Sequence, residues 1–429
     1  MSKGARALAL DLLLRTEAAG QYANIALDSA LSRSELSGAD RALCTALFYS
    51  VIEHRITLDH VIDTRTSIPP SSIETRVRMI LRMALSQLLY FDRIPDHAAV
   101  AEAVELTPRR SKGFVNAILR GFLRDGKALR LPPLAEDPVR YLSVSYSVPE
   151  ALAEAFCKQW GIERAERVLQ AFSRTPEVTV RVNTLRHTRE EWCAKIGGSP
   201  TKYAPHGVRF SSAEGLREAL AAGDCFVQDE ASQIAVAALD ARAGMRVIDL
   251  CAAPGSKSFG AALSMQNSGE VASFDLHANK TSLISRGATA LGITCIRVGA
   301  ADARLADPAV LGEFDRVICD VPCSGYGVLS KKPDIRYKDF SQAAGLVPVQ
   351  AAILENAARL VKKGGILLYS TCTLLAEENE MQVEAFLTRH PEFSPAPFAV
   401  GELSCEGVLT LLPDTHGTDG FFIAKLKKV

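Results

Sequence analysis

The sequence predicts a multidomain chain: an all-α bundle over residues 1–130, a linker at 131–145, a small α+β domain over 146–228, and an α/β domain with a mostly parallel sheet over 229–429. Three observations predict it. A length of 429 residues exceeds one ordinary domain. Apolar residues recur at helical spacing through the first part, with no strand-like alternation of useful length. From residue 229 onward, strand-like and helical segments alternate, the pattern of a doubly wound sheet.

In the bundle, Leu8, Leu12 and Leu13 share one stripe, as do Ile80, Ala84, Leu85 and Leu88. Polar and proline-rich stretches at 32–40, 67–72 and 93–96 punctuate about seven helices. Three prolines in 131–148 read as a linker. Helices return at 149–172, followed by strand-like segments at 178–183, 207–210 and 225–228. Candidate strands of the last domain lie at 246–251, 270–275, 294–298, 316–320 and 365–370, with a closing hairpin of 408–412 and 421–427. An antiparallel pair at the end fits a mixed edge.

Composition narrows the function. Hydrophobic residues at 48% and charged residues at 23% exclude a disordered or fibrous chain. No run of 18 apolar residues exists, so no membrane partner is expected. The N-terminal segment 1–18 reads as an amphipathic helix and not a signal peptide, which predicts a cytoplasmic protein. Basic and acidic residues balance at 49 each, so nucleic-acid binding would need local patches. Ten cysteines at irregular spacing, without CxxC, predict reduced thiols and no metal.

In such a sheet, ligands bind beyond the carboxyl ends of the strands. Asp249 opens the segment DLCAAPGSK after the first strand, and Asp275, Asp302 and Asp320 follow the next three. Small residues let the backbone approach a ligand, and acids accept hydrogen bonds from ribose hydroxyls. GxGxxG and GxxxxGK[ST] are both missing, so a phosphate-bearing ligand is disfavoured. S-adenosyl-L-methionine, a nucleoside with a cationic sulfonium and no phosphate, fits this set better than a dinucleotide.

Cys323 follows the fourth strand and Cys372 the fifth, so two thiols can face one crevice. A thiolate is a strong nucleophile once a nearby cation or helix N-terminus lowers its pKa. Lys257 and the 331–338 run are the candidate cations, and a helix is expected at 376–390. Methylation of carbon 5 of a pyrimidine needs such a thiol, because that carbon becomes nucleophilic only after addition at carbon 6. Asp320 is placed to stabilise charge at nitrogen 3 of cytosine.

DLCAAPGSK, DVPCSG and YSTCT together resemble the Sun group of RNA cytosine-5 methyltransferases, and DGFFIAKL is similar to that family's closing strand. YSVPE, WGIERAERVLQ and VTVRVNT resemble its preceding small domain, and VQDEASQ its entry helix. DRALCTALFYSVIEHRITLDHVI, HAAVAEAVEL and KGFVNAILRGFLR look like NusB, a helical RNA-binding factor. The resemblance implies a Rossmann-like methyltransferase domain behind a NusB-like one. It implies 16S ribosomal RNA as partner, naked or in a partly assembled small subunit, with cytosine 967 as target. A monomeric protein is expected. By the same resemblance Cys251, Ala252, Ala253, Pro254, Gly255, Ser256 and Lys257 hold the methionine end of the cofactor. Asp275 binds ribose, Asp302 adenine, and Asp320 faces cofactor and base. Cys372 is the nucleophile, Cys323 promotes release, and Lys257 assists. The family's loop usually reads PGGK; Ser256 replaces the second glycine, a strain on the order of 1 kcal/mol if that position needs φ > 0.

Two basic groups are candidate RNA contacts. Lys331, Lys332, Arg336 and Lys338, with Tyr337 among them, are expected to clamp phosphates beside a flipped base. Arg109, Arg110, Lys112, Arg120, Arg124, Lys127 and Arg130 form a stripe in the bundle. The competing readings are an RNA scaffold with an inactive enzyme domain, an enzyme acting on another RNA, and a DNA cytosine methyltransferase. In the last, the PC cysteine attacks and a TC cysteine is not expected.

Overall fold

The computed structural model describes residues 4–19, 23–211 and 215–429. The chain divides into two compact units: Met1–Gln170 together with Lys332–Lys338, and Ala171–Lys331 together with Asp339–Val429. No helix among the described residues is long and apolar enough to cross a membrane.

Up to residue 124, the described residues of the first unit form seven α-helices: Ala5–Ala19, Ala23–Ser32, Gly38–Glu53, Arg55–Asp63, Thr75–Tyr90, Asp96–Leu106 and Lys112–Arg124. Residues 1–3 of the expected N-terminal helix lie outside the described residues. The helical stripes meet in one core, where Leu10, Leu47, Phe48, Leu85 and Phe122 are fully buried. Ile80, Ala84, Leu85 and Leu88 are all in it, as are Leu12 and Leu13. The region read as a linker contains the helix Pro138–Tyr146. Its proline sits at the first helical position, where the missing N–H costs nothing, and Asp137 caps it by accepting from the Arg140 N–H at 3.0 Å. The proline read as a breaker is therefore a helix start.

The second unit carries fourteen strands among its described residues. Four of them, β1 (Val178–Val182), β2 (Ser199–Pro200), β3 (Gly207–Phe210) and β4 (Cys225–Val227), make an antiparallel sheet in the order β2-β3-β1-β4. Valines at 180, 182 and 208 and Trp192 fill its own small core.

The main sheet is built from β5 (Arg246–Asp249), β6 (Glu270–Asp275), β7 (Ile296–Ala300), β8 (Phe314–Asp320), β9 (Val361–Thr371) and β10 (Phe393–Pro395). After the two-stranded pair β11 (Phe398–Val400) and β12 (Leu403–Cys405), it is completed by β13 (Val408–Leu411) and β14 (Phe421–Lys428). Its order is β10-β14-β9-β8-β5-β6-β7, with β13 also on β14. Strands β5 to β9 run parallel and β14 is antiparallel to β9. Successive strand residues point to opposite faces. Thus Val247, Ile318 and Leu368 enter one core while Ile248, Val317 and Leu367 enter the other. The chain leaves β5 toward β6 and later returns to β8, so the switch point lies between β5 and β8, where such sheets open a crevice.

Candidate active site

Everything expected of the cofactor loop falls at that switch point. Asp249 ends β5 but is turned inward. It is 1% exposed and accepts from the Ser258 hydroxyl at 2.7 Å, and Ser258 in turn accepts from Ser273 at 2.8 Å. Burial raises its carboxyl to about 7. Its second oxygen is buried without a partner. Of the four strand-end acids, this one braces the loop from below.

Residues 250–255 then cross to the helix Ser256–Ser264. The Ala252 N–H donates to the Phe274 carbonyl at 2.7 Å, and the Ala253 N–H donates to Asp275 at 3.2 Å. Asp275, 8% exposed, also accepts from the His277 N–H at 3.0 Å, so one carboxylate ties the β5 loop to the β6 loop. Gly255 has φ 115°, and a Cβ there would sit 2.4 Å from the Phe259 ring. Positive φ is therefore needed at Gly255 and not at Ser256, which begins the helix with ordinary backbone. The strain expected from Ser256 does not arise. Cys251 lies beside these acids, and burial pushes its thiol well up.

Lys257 is 8% exposed in its side chain and donates to Asp320 at 2.6 Å. Ser370 donates to the other oxygen of Asp320 at 2.8 Å. Asp302 is engaged by Arg304 at 2.6 Å, which holds its carboxyl below the usual range. Arg304 is exposed, so solvent screens the pair and a ligand can displace it.

The two thiols meet. Parallel pairing of β8 and β9 brings Cys323 Sγ to 3.3 Å from Cys372 Sγ, and the Cys372 N–H also donates to Cys323 Sγ at 3.3 Å. Neither forms a disulfide. The hydrogen bond to Cys372 and then burial hold the Cys323 thiol well above its ordinary pKa. Gly327 closes the arrangement: its N–H donates to the Cys372 carbonyl at 2.8 Å, and a Cβ would meet the Gly420 carbonyl at 2.0 Å.

Sequence reasoning missed the support beneath the thiols. The 376–390 helix is in fact a turn, Ala376–Glu378, then a helix, Glu380–Arg389. Fully buried Glu378 accepts from the Ser324 N–H at 2.9 Å, the Ser324 hydroxyl at 2.5 Å and Gln350 at 2.8 Å. Three residues in the YSTCTLLAEEN run, Thr371, Thr373 and Asn379, join the same buried network. The signal was an acid and an amide in a segment that starts as an apolar strand.

The 331–338 run corrects another expectation. Lys331 is held by Asp229 and, at 2.9 Å, by Asp419. Burial pulls its pKa down, but the two carboxylates outweigh it and raise it. Arg336, 2% exposed, belongs to the first unit, where it donates to the carbonyls of Glu53 at 2.9 Å and Tyr146 at 3.2 Å. Tyr337 lies under the Arg55 guanidinium, 3.8 Å from its ring centroid, and bonds Ser147 at 3.2 Å. Lys331 and Arg336 are anchored within the protein, while Lys332 and Lys338 are exposed. Lys257, the other candidate cation, is paired with Asp320.

The bundle stripe is partly neutralised. Arg110 pairs with Glu74, Lys112 with Glu105, Lys127 with Asp96 and Arg130 with Asp125. Arg120 bonds Asn116. Arg109 and Arg124 are exposed and make no ion pair among the described residues.

A doubly wound sheet with acids at successive strand ends and a glycine-tight loop after β5 fits the methyltransferase class. The family model of the 16S rRNA methyltransferase RsmB/F matches residues 236–427, that of the RsmF/B-like ferredoxin-like domain 148–215, and that of the NusB family 3–124. The Bacillus subtilis protein named probable ribosomal RNA small subunit methyltransferase B is 37% identical over 99% of this chain and 98% of its own. Ribosomal RNA small subunit methyltransferase B of Klebsiella pneumoniae is 32% identical over 92% of each chain. The crystal structure of PH0851 superposes with a TM-score of 0.78, at 28% identity over 99% of this chain and 98% of its own. The chain belongs to the ribosomal RNA small subunit methyltransferase B family, with a NusB-type helical region ahead of its methyltransferase fold.

Proposed function

We propose that the protein transfers a methyl group from S-adenosyl-L-methionine to carbon 5 of a cytosine in 16S ribosomal RNA through a covalent Cys372 adduct. The observation that carries this reading is the Cys323–Cys372 pair at 3.3 Å, just past the paired strands β8 and β9, of which β8 ends at Asp320. The relatives' names support a small-subunit ribosomal RNA substrate.

The donor set suits this cofactor. Asp275, Asp302 and Asp320 bring three carboxylates against two cations, Lys257 and the displaceable Arg304, which favours a cationic ligand over a phosphate. Residues Cys251 to Lys257 would hold its methionine end, Asp275 the ribose and Asp302 the adenine, the last by displacing Arg304. When bound, the cofactor supplies an electrophilic methyl group.

The chain's own residues do the rest. The Cys372 thiol gives up its proton and adds to carbon 6 of the base, and a proton passed from Lys257 through Asp320 reaches nitrogen 3, where the charge arrives. Once carbon 5 carries the methyl group, its hydrogen leaves as a proton to a solvent base, and the carbon–sulfur bond to Cys372 breaks. Lys257 and Ser370 fix the two Asp320 oxygens and so set its direction. Cys323, kept as a thiol, donates toward the Cys372 sulfur and stabilises it as it leaves.

The test separates the thiols. Cys372→Ala should abolish methylation and give no protein–RNA adduct. Cys323→Ala should still attack and accept the methyl group, then stall, so a slow-migrating adduct accumulates on a denaturing gel with target RNA. An adduct with Cys372→Ala and none with Cys323→Ala would reverse the roles. Full activity in both would remove covalent catalysis altogether. Bisulfite mapping of 16S RNA from a deletion strain identifies the nucleotide.

A further inference from the structure

A buried polar cluster in the second unit lies under the two cysteines and takes no part in the chemistry above. We infer that Glu378 is the positioning residue of the cysteine pair, fixing the loop of Cys323 against the loop of Cys372. The inference rests on the reading that Cys372 attacks and Cys323 assists.

Three connections carry it. On the Cys323 side, Glu378 takes both hydrogen bonds that Ser324, the next residue, can donate, at 2.9 and 2.5 Å. It also takes one from Gln350, whose amide simultaneously holds the Pro322 carbonyl at 2.9 Å. The residues on both sides of Cys323 are thus gripped through one carboxylate. On the Cys372 side, the Thr373 hydroxyl meets Ser324 at 2.7 Å, and Tyr369 donates to the Glu378 carbonyl at 2.6 Å. Ser324, Thr373, Gln350 and Glu378 are 0–5% exposed. A buried carboxylate is costly unless its lone pairs are filled. Here they are filled by Ser324 of the Cys323 loop and by Gln350 of the helix Ser341–Leu360, while Glu378 itself continues the Cys372 segment, so placing the Cys323 loop and solvating the carboxylate are the same interaction.

The charge has a second consequence. Cys323 faces Cys372, Glu378 and Tyr369, while Gln350, from the helix Ser341–Leu360, is neutral. A negative charge at Glu378 opposes a thiolate at Cys323 and so preserves the S–H that reaches Cys372. Position and protonation state of the helper thiol then depend on one side chain.

The experiment uses the full chain, peptide-resolved alkylation by iodoacetamide, and single-turnover methyl transfer to 16S RNA. Glu378→Gln keeps the shape, removes the charge and turns one acceptor into a donor. It should raise Cys323 alkylation at pH 9 about tenfold, the equivalent of one pH unit, and slow transfer on the order of 100-fold, with cofactor affinity unchanged. Glu378→Asp keeps the charge and withdraws it by one carbon. It should slow transfer while leaving Cys323 alkylation as in the parent. Ser324→Ala, which only trims a hydroxyl, should do the same as Asp and replaces the Gln variant if that fails to fold. Unchanged transfer in Ser324→Ala, or unchanged alkylation and transfer in a folded Glu378→Gln, would reduce Glu378 to ordinary packing. If Cys323→Ala gives no adduct while the alkylation change in Glu378→Gln is present, the covalent reading fails and the link from Glu378 to Cys323 stands.

Discussion

Single residues at the β5 loop make separable predictions. Asp275 braces two loops and is the proposed ribose ligand. Losing hydrogen bonds to a charged acceptor costs about 1.5–3 kcal/mol each, so Asp275→Ala should weaken cofactor affinity by roughly one to two decades. Unchanged calorimetric affinity would leave Asp275 as a loop brace alone. Ser256 occupies an unstrained helix start, so Ser256→Gly should bring no gain in affinity. A tenfold gain would contradict the backbone assignment. Asp249 gives a pH signature. Its carboxyl is raised in the fold from an ordinary 3.8 to about 7, so folding favours its protonated form. The stability this contributes is complete below about pH 4 and is lost as pH rises toward 7. Asp249→Asn should therefore flatten the fall in stability between about pH 4 and 7 in a urea-unfolding series, and an identical slope would mean Asp249 titrates normally.

At the scale of elements, the legible parts were those set by local pattern. Strands β6 and β3 fall where alternation and turn signals put them, and β5, β8, β9, β13 and β14 do so with shifted ends. The short strands β2 and β10 to β12 have two or three residues each, too few to carry a period, and they exist because a neighbouring strand pairs with them. The strand-end acids and both thiols were legible because a parallel sheet orders its strand ends in space. Glu378, Gln350 and Ser324 were not, because a buried carboxylate looks the same in sequence as an exposed one until its partners are known. Gly255 joins the two levels. Its φ of 115° and the 2.4 Å approach to Phe259 leave no room for a Cβ. Gly255→Ala should cost about 1–3 kcal/mol of stability and open the cofactor loop. Parental stability and affinity in that variant would mean the loop has an alternative path.

For the molecule as a whole, the helical unit is the part whose role sequence described least well. Deleting residues 1–130 looks like a clean test of RNA binding by a separate arm. It is not, because Lys332–Lys338 belongs to that unit and Arg336 and Tyr337 rest on Glu53 and Arg55. Deletion would strip a buried guanidinium of the Glu53 carbonyl and leave Pro333 and Ile335 uncovered. Arg336→Ala isolates this structural part. Two hydrogen bonds to a charged donor are lost, so stability should fall on the order of 3 kcal/mol, read by urea unfolding. RNA contact must then be tested at the surface, where Arg109 and Arg124 are exposed and unpaired by any described acid. Phosphate contacts act through counterion release, and each one lost lowers the log–log salt slope by about 0.7–0.9. If both arginines touch RNA, Arg109→Ala with Arg124→Ala should reduce the slope by roughly 1.4–1.8, weaken binding most at low salt, and leave the unfolding midpoint in place. An unchanged slope in a folded double variant would take these two arginines out of the RNA interface. The substrate's phosphates would then have to be held by the second unit, by the exposed Lys332 and Lys338, or by the paired cations of the bundle stripe.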